Sequence, residues 1–160
     1  MEAHVRTRLP IVLSFAALLV APLAAAQDLA KIVTKADVEK ATGQKFKGGE
    51  KPMPTQISFA QDGGDMTVSV DLEPREASKT VRGWEATMKK MQPGAKIDTV
   101  PGVGKDAIYY STRADLGAVD ADFDAPRVQL RVAVAGATSP AQAKQIVVDL
   151  AKTVGPRVGK

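Results

Sequence analysis

The chain has 160 residues, a formal net charge of +4, no cysteine and one histidine, His4. This length suits one domain with a substantial core, and the lack of cysteine excludes disulfide frameworks, thiol nucleophiles and lipid attachment through cysteine. Because the lysines and arginines are scattered and not clustered on one predicted face, we expect no nucleic-acid partner.

The first 26 residues have the three parts of a secretory signal peptide: a start with two arginines, an apolar run over 11–21, and small residues before the exit. The apolar run is shorter than the roughly 20 residues that span a bilayer. We therefore predict cleavage after Ala26, no stable membrane anchor, and export of one domain, residues 27–160, to the periplasm or the medium. His4 would leave with the signal peptide, which removes the usual general base and histidine zinc sites.

The first elements of the domain are a helix, a loop and a β-hairpin. Thr34 can cap a helix that Gly43 ends. Residues 44–54 are rich in lysine, glycine and proline, which predicts a loop. Two alternating runs, 56–61 and 66–73, flank a Gly-Gly turn and predict a β-hairpin.

The middle of the domain predicts a helix, two strands and a loop. Apolar residues at helical spacing over 77–91 place Trp84 on a buried stripe, where a core role is expected. Strands are predicted over 96–100 and 105–112, separated by a Pro-Gly-Val-Gly turn that needs positive φ. Residues 113–126 are predicted to form an acidic loop.

The domain is predicted to close with a half-exposed strand, 127–134, and a helix, 140–154, which Ser139 caps. The element order is then α-β-β-α-β-β-β-α. Alternating strands indicate one covered sheet face. We predict an α+β fold in which a single antiparallel sheet of about five strands has its helices packed mainly on one face.

Three stretches of the chain resemble a known group of proteins. They are the helix start over 33–43, the Pro-Gly-Val-Gly segment leading into Tyr109 and Tyr110, and the closing strand-turn-helix from Arg127. Together they resemble small secreted or lipid-anchored bacterial domains of unknown function, best known from actinobacteria, some with a PsbP-like α/β fold. The resemblance spans about residues 28–155. It implies a fold, but no activity, cofactor or catalytic residue.

The polar face of the sheet is the strongest candidate for a functional surface. It would combine residues of the hairpin with residues of the closing strand if the two are neighbours. The candidate residues are Thr67, Ser69, Asp71, Arg127, Gln129 and Arg131. An arginine pair beside hydroxyls could hold an anion or a partner's carboxylates, while the alternative is an ordinary wet sheet face.

The acidic segment offers a second candidate. Asp120, Asp122 and Asp124 alternate as at the start of a calcium loop, but Ala125 and Arg131 stand where an EF-hand needs glycine and glutamate. A solvated loop is the competing interpretation.

From these features we expect an exported, non-catalytic domain without a cofactor that binds an envelope or extracellular protein or a small ligand. The alternatives are a cation-binding protein that uses the aspartates, and a hydrolase that uses carboxylates.

Overall fold

In the computed structural model, residues 28–160 are described, and they form an antiparallel sheet beneath a layer of helices; the predicted signal peptide lies outside the described residues. The strands are β1 (Glu50–Met53), β2 (Gln56–Ala60), β3 (Thr67–Pro74), β4 (Lys96–Thr99), β5 (Asp106–Ser111), β6 (Gly117–Asp124) and β7 (Arg127–Ala135). The helices are α1 (Leu29–Ile32), α2 (Lys35–Thr42), α3 (Val81–Met91) and α4 (Pro140–Val154), and a short 3₁₀ turn, Gly155–Arg157, continues α4.

The seven strands of residues 28–160 lie in the order β1-β2-β3-β7-β6-β5-β4, and every neighbouring pair is antiparallel. The predicted hairpin is present as β2 and β3, whose register pairs Gln56 with Asp71 and Ala60 with Thr67. The closing strand β7 lies between β3 and β6, at the centre of the sheet. The α+β class with a single antiparallel sheet is therefore confirmed.

One face of the sheet, here called the inner face, carries the core. Helix α4 packs on β5, β6 and β7 there, and α2 packs against α4. The side of α4 that faces the sheet is fully apolar, and each of its larger aliphatic side chains contributes roughly 1.5–3 kcal/mol by burial. The buried residues of α4 are Ala143, Ile146, Val147, Leu150, Ala151 and Val154.

Local helix signals act as the sequence predicts. The Thr34 side chain accepts from the backbone N–H of Asp37, and the Asp37 carboxylate accepts from the backbone N–H of Thr34. The two residues thus form a capping box at the start of α2. Gly43 ends α2 in the left-handed region with φ of 71°. Ser139 caps α4 by accepting from the backbone N–H of Gln142.

The sheet has more strands than the sequence predicted, because two predicted loops contain strands. The loop predicted over 44–54 contains β1, which is exposed along its whole length and so lacks apolar alternation. The acidic loop predicted over 113–126 contains β6, which is almost fully buried on both faces. Its aspartates concealed that strand, since charged residues are rarely buried unless they are paired.

Helix α3 also departs from the prediction. It begins at Val81 and not near 77, because Thr80 caps it by accepting from the backbone N–H of Gly83. It lies over β5 and β6 on the outer face of the sheet, opposite α4. Three of the four helices of residues 28–160 therefore share the inner face, and α3 alone covers part of the other. None of these helices is long and apolar enough to cross a membrane.

Candidate binding groove

The outer face of the sheet contains a groove because α3 covers only part of it. A cavity of about 410 Å³ runs along α3, and a second of about 390 Å³ extends from it toward the corner of β1 and β2. Gln129 and Arg131 line both cavities, so the two adjoin each other along β7. The residues that define the groove are Met53, Gln56, Ser69, Asp71, Glu73, Ser78, Lys79, Thr80, Gly83, Trp84, Thr87, Asp120, Gln129 and Arg131.

Four of the six surface residues predicted from the sequence line this groove. Strands β3 and β7 are neighbours, with Asp71 opposite Arg131 and Ser69 opposite Ala133. Gln129 lies opposite Glu73, a groove residue that the sequence analysis did not select. Because side chains two residues apart on a strand share a face, the register brings these groups together on one surface.

The other two predicted residues lie apart from the groove. Thr67 is opposite Ala135 at the far end of β3 and lines neither cavity. Arg127 is opposite Asp124 and lines a third cavity of about 270 Å³ near the start of α3, which shares only Thr80 with the groove. The structure therefore separates the two arginines that were predicted to act as a pair.

Arg131 is engaged within the fold by a buried carboxylate. Its Nε and Nη2 donate to the two carboxylate oxygens of Asp120 at 2.7 and 3.0 Å, a bidentate pair between adjacent strands. The Asp120 side chain is 1 % exposed, while that of Arg131 is 44 % exposed. Hydrogen bonding to Asp120 raises the pKa of Arg131, so the guanidinium stays charged. The predicted anion-holding role stays a prediction.

Asp71 is the carboxylate that this arrangement leaves without a dedicated cation. It is half-buried on β3, beside Arg131 in the sheet register. Burial raises the pKa of Asp71 above its ordinary value, although hydrogen bonding to Gln56 and the charge of Arg131 oppose the rise. Three carboxylates, those of Asp71, Glu73 and Asp120, thus share the groove floor with one guanidinium that is already committed to Asp120.

Asp122 positions the wall of the groove. Its carboxylate accepts from the backbone N–H of Val81 at 2.8 Å and from Gln129 Nε2 at 3.2 Å, which joins the first turn of α3 to β6 and β7. Arg75, whose side chain is 7 % exposed, lies with its Nε 3.6 Å from the same carboxylate and donates to Asp124 at 2.8 Å. A buried carboxylate at the start of a helix accepts from a free backbone N–H. Its negative charge also interacts favourably with the positive end of the helix dipole.

Trp84 forms part of this wall and is not a core residue. The sequence predicted a buried anchor, but the side chain is half-buried and borders the cavity beside Thr80 and Thr87. Its Nε1–H is buried and finds no acceptor among residues 28–160, although buried indole N–H groups usually have one. The place of Trp84 in the groove wall follows from the position of α3 over a partly covered sheet. Helical periodicity in the sequence does not show that position.

The three aspartates of the acidic segment lie on strand β6 and not in a loop, and each has a cationic side chain beside it. Asp120 binds Arg131, Asp122 lies beside Arg75, and Asp124 binds Lys105 at 2.8 Å as well as Arg75. Within residues 28–160 no group of three or more histidine, cysteine, aspartate or glutamate side chains is arranged to hold a metal ion. The described structure therefore gives the cation-binding alternative no support.

No protein-family model matches the chain, and the searches found no match among curated proteins or solved structures. The resemblance to small secreted bacterial domains accordingly stays a prediction.

Proposed function

We propose that this chain is an exported, non-catalytic binding domain whose ligand lies in the groove on the outer sheet face. The observation that carries the proposal is that the two cavities adjoin over Gln129 and Arg131, with polar side chains below and Trp84 at the side. Their volumes, about 410 and 390 Å³, are in the range of ligand sites, which are commonly 300–1,000 Å³.

The side-chain chemistry supports binding over catalysis. The sequence after His4 has neither histidine nor cysteine. The two buried carboxylates, Asp120 and Asp122, are each occupied by an arginine or by hydrogen bonds inside the fold. General acid–base or nucleophilic catalysis needs such a group directed at a substrate.

The position of Trp84 provides the test, because it is the only tryptophan of the chain. A ligand that enters the groove should change its fluorescence and slow its quenching by acrylamide, both in a saturable manner. We expect Gln129→Ala to weaken the binding of every such ligand, since this side chain lines both cavities. The matched control is Gln145→Ala, which removes the same group from the exposed side of α4 on the other face.

A ligand screen in which saturable binding never affects Trp84, or survives Gln129→Ala unchanged, would contradict this proposal. A thermal melt with and without millimolar calcium distinguishes this proposal from the cation-binding alternative, which requires calcium to raise the melting temperature. Export is tested independently by mass spectrometry of the protein recovered outside the cytoplasm. Its mass should be that of a chain that begins at Gln27.

A further inference from the structure

The charge of the groove points to the kind of ligand that it takes. The chain as a whole is basic, with a net charge of +4, yet the groove floor holds Asp71, Glu73 and Asp120 against Arg131 alone. Lys79, at the rim on the α3 side, is paired with Glu76 at 2.9 Å. A local excess of carboxylates on a basic protein favours a ligand that carries positive charge.

The shape of the groove favours an extended chain over an enclosed small molecule. Small-molecule sites bury most of their ligand, commonly 70–90 % of its surface. Here Met53, Glu73 and Arg131 are exposed, and Asp71 is only half-buried, so the groove covers a ligand from one side. It also spans the neighbouring strands β3 and β7, which lie roughly 4.8 Å apart, and so offers an open surface more than depth.

Two structural details fit a peptide with basic side chains. Asp71 and Glu73 are two residues apart on β3, about 7 Å, which is also the repeat of same-side residues in an extended peptide. The indole of Trp84 borders the groove and offers a surface for an alkyl stem or a cation.

We propose that the groove binds an extended segment of a partner protein that carries lysine or arginine, with the cations against Asp71 and Glu73 and another of its side chains against Trp84. This inference rests on the proposed binding function and adds the class of ligand. Both sheet edges are short strands rich in charge, Glu50–Met53 and Lys96–Thr99, a composition that disfavours strand addition there and leaves the face as the docking surface.

The probe is a capped five-residue peptide in which lysine and alanine alternate, titrated against the full exported domain with Trp84 fluorescence as the signal. Matched peptides carry glutamate or norleucine in place of lysine, and 1,4-diaminobutane represents a small amine. We expect saturable binding of the lysine peptide alone, weakening as salt is raised. The double variant Asp71→Asn with Glu73→Gln should bind it at least about tenfold more weakly.

The matched control is Asp62→Asn with Asp65→Asn, which removes two exposed charges from the tip of the same hairpin and should leave binding unchanged. Equal binding of the glutamate or norleucine peptide would overturn the charge argument, and so would unchanged binding by the Asp71 and Glu73 variant. Diaminobutane binding as tightly as the peptide would replace the partner segment with a small amine. If other ligands affect Trp84 but the lysine peptide does not, the inference fails while the proposed function stands; if no ligand does, both fail.

Discussion

Replacing Arg131 should destabilise the fold more than replacing its partner Asp120, although the two residues form one ion pair. Arg131→Met keeps most of the alkyl stem and leaves the Asp120 carboxylate, which is 1 % exposed, without its bidentate donor. Breaking a buried pair costs about 3–5 kcal/mol, and because water reaches the guanidinium side we expect about 2–3 kcal/mol. Asp120→Asn instead leaves a cation that is 44 % exposed and beside Asp71, for which we expect about 1 kcal/mol.

The double variant gives the sharpest expectation. Once Arg131 is methionine, changing Asp120 to asparagine removes the uncompensated buried charge. The second substitution should therefore recover about 1 kcal/mol or more relative to Arg131→Met alone. Independent contributions would instead add and make the double variant the least stable of the three.

The free energy of unfolding in urea, followed by Trp84 fluorescence and by circular dichroism, measures all three variants. Coincident transitions and equal m-values would show that each unfolds in two states. A double variant less stable than Arg131→Met, or Asp120→Asn as costly as Arg131→Met, would refute the argument that the asymmetry comes from the buried carboxylate.

Two further predictions concern other parts of the fold. Hydrogen bonding from Arg157 lowers the pKa of Asp37 to about 2, below its unfolded-state value, so the pair stabilises the fold above about pH 4 and loses this contribution as the pH falls toward 2. Arg157→Leu should lower the free energy of unfolding by about 1–2 kcal/mol at pH 5 and by much less at pH 2 in urea titrations; an equal loss at both would count against the pairing. Gly104→Ala should cost more in thermal melts than Gly102→Ala: both residues have positive φ, 57° and 81°, but only at Gly104 would a Cβ collide with the backbone carbonyl of Asp122.

The elements that the sequence predicted are those determined by neighbouring residues. Thr34 and Gly43 bound a helix through contacts within a few residues, and the Gly-Gly turn lies between two alternating runs, so helix α2 and the β2–β3 hairpin were predictable. Strand β6 was not, because its aspartates are neutralised by residues distant in sequence, among them Arg75. The location of Trp84 depends on the sheet face on which α3 packs, and periodicity gives only the side of a helix that is buried.

The same two aspartates that concealed β6 determine the geometry of the groove. Asp122 holds the first turn of α3 at Val81, which sets the wall, and Asp120 holds Arg131, which sets the floor. Neither Asp71 nor Glu73 forms an ion pair within residues 28–160, although Asp71 bonds to Gln56, and both contribute their charge to the open side. Substitutions at Asp120 or Asp122 should therefore change binding and stability together. The first removes the acceptor of Arg131, and the second removes the acceptor of the Val81 N–H at the start of α3. Substitutions at Asp71 or Glu73 should change binding with little loss of stability, and this difference distinguishes residues that shape the groove from those that contact its ligand.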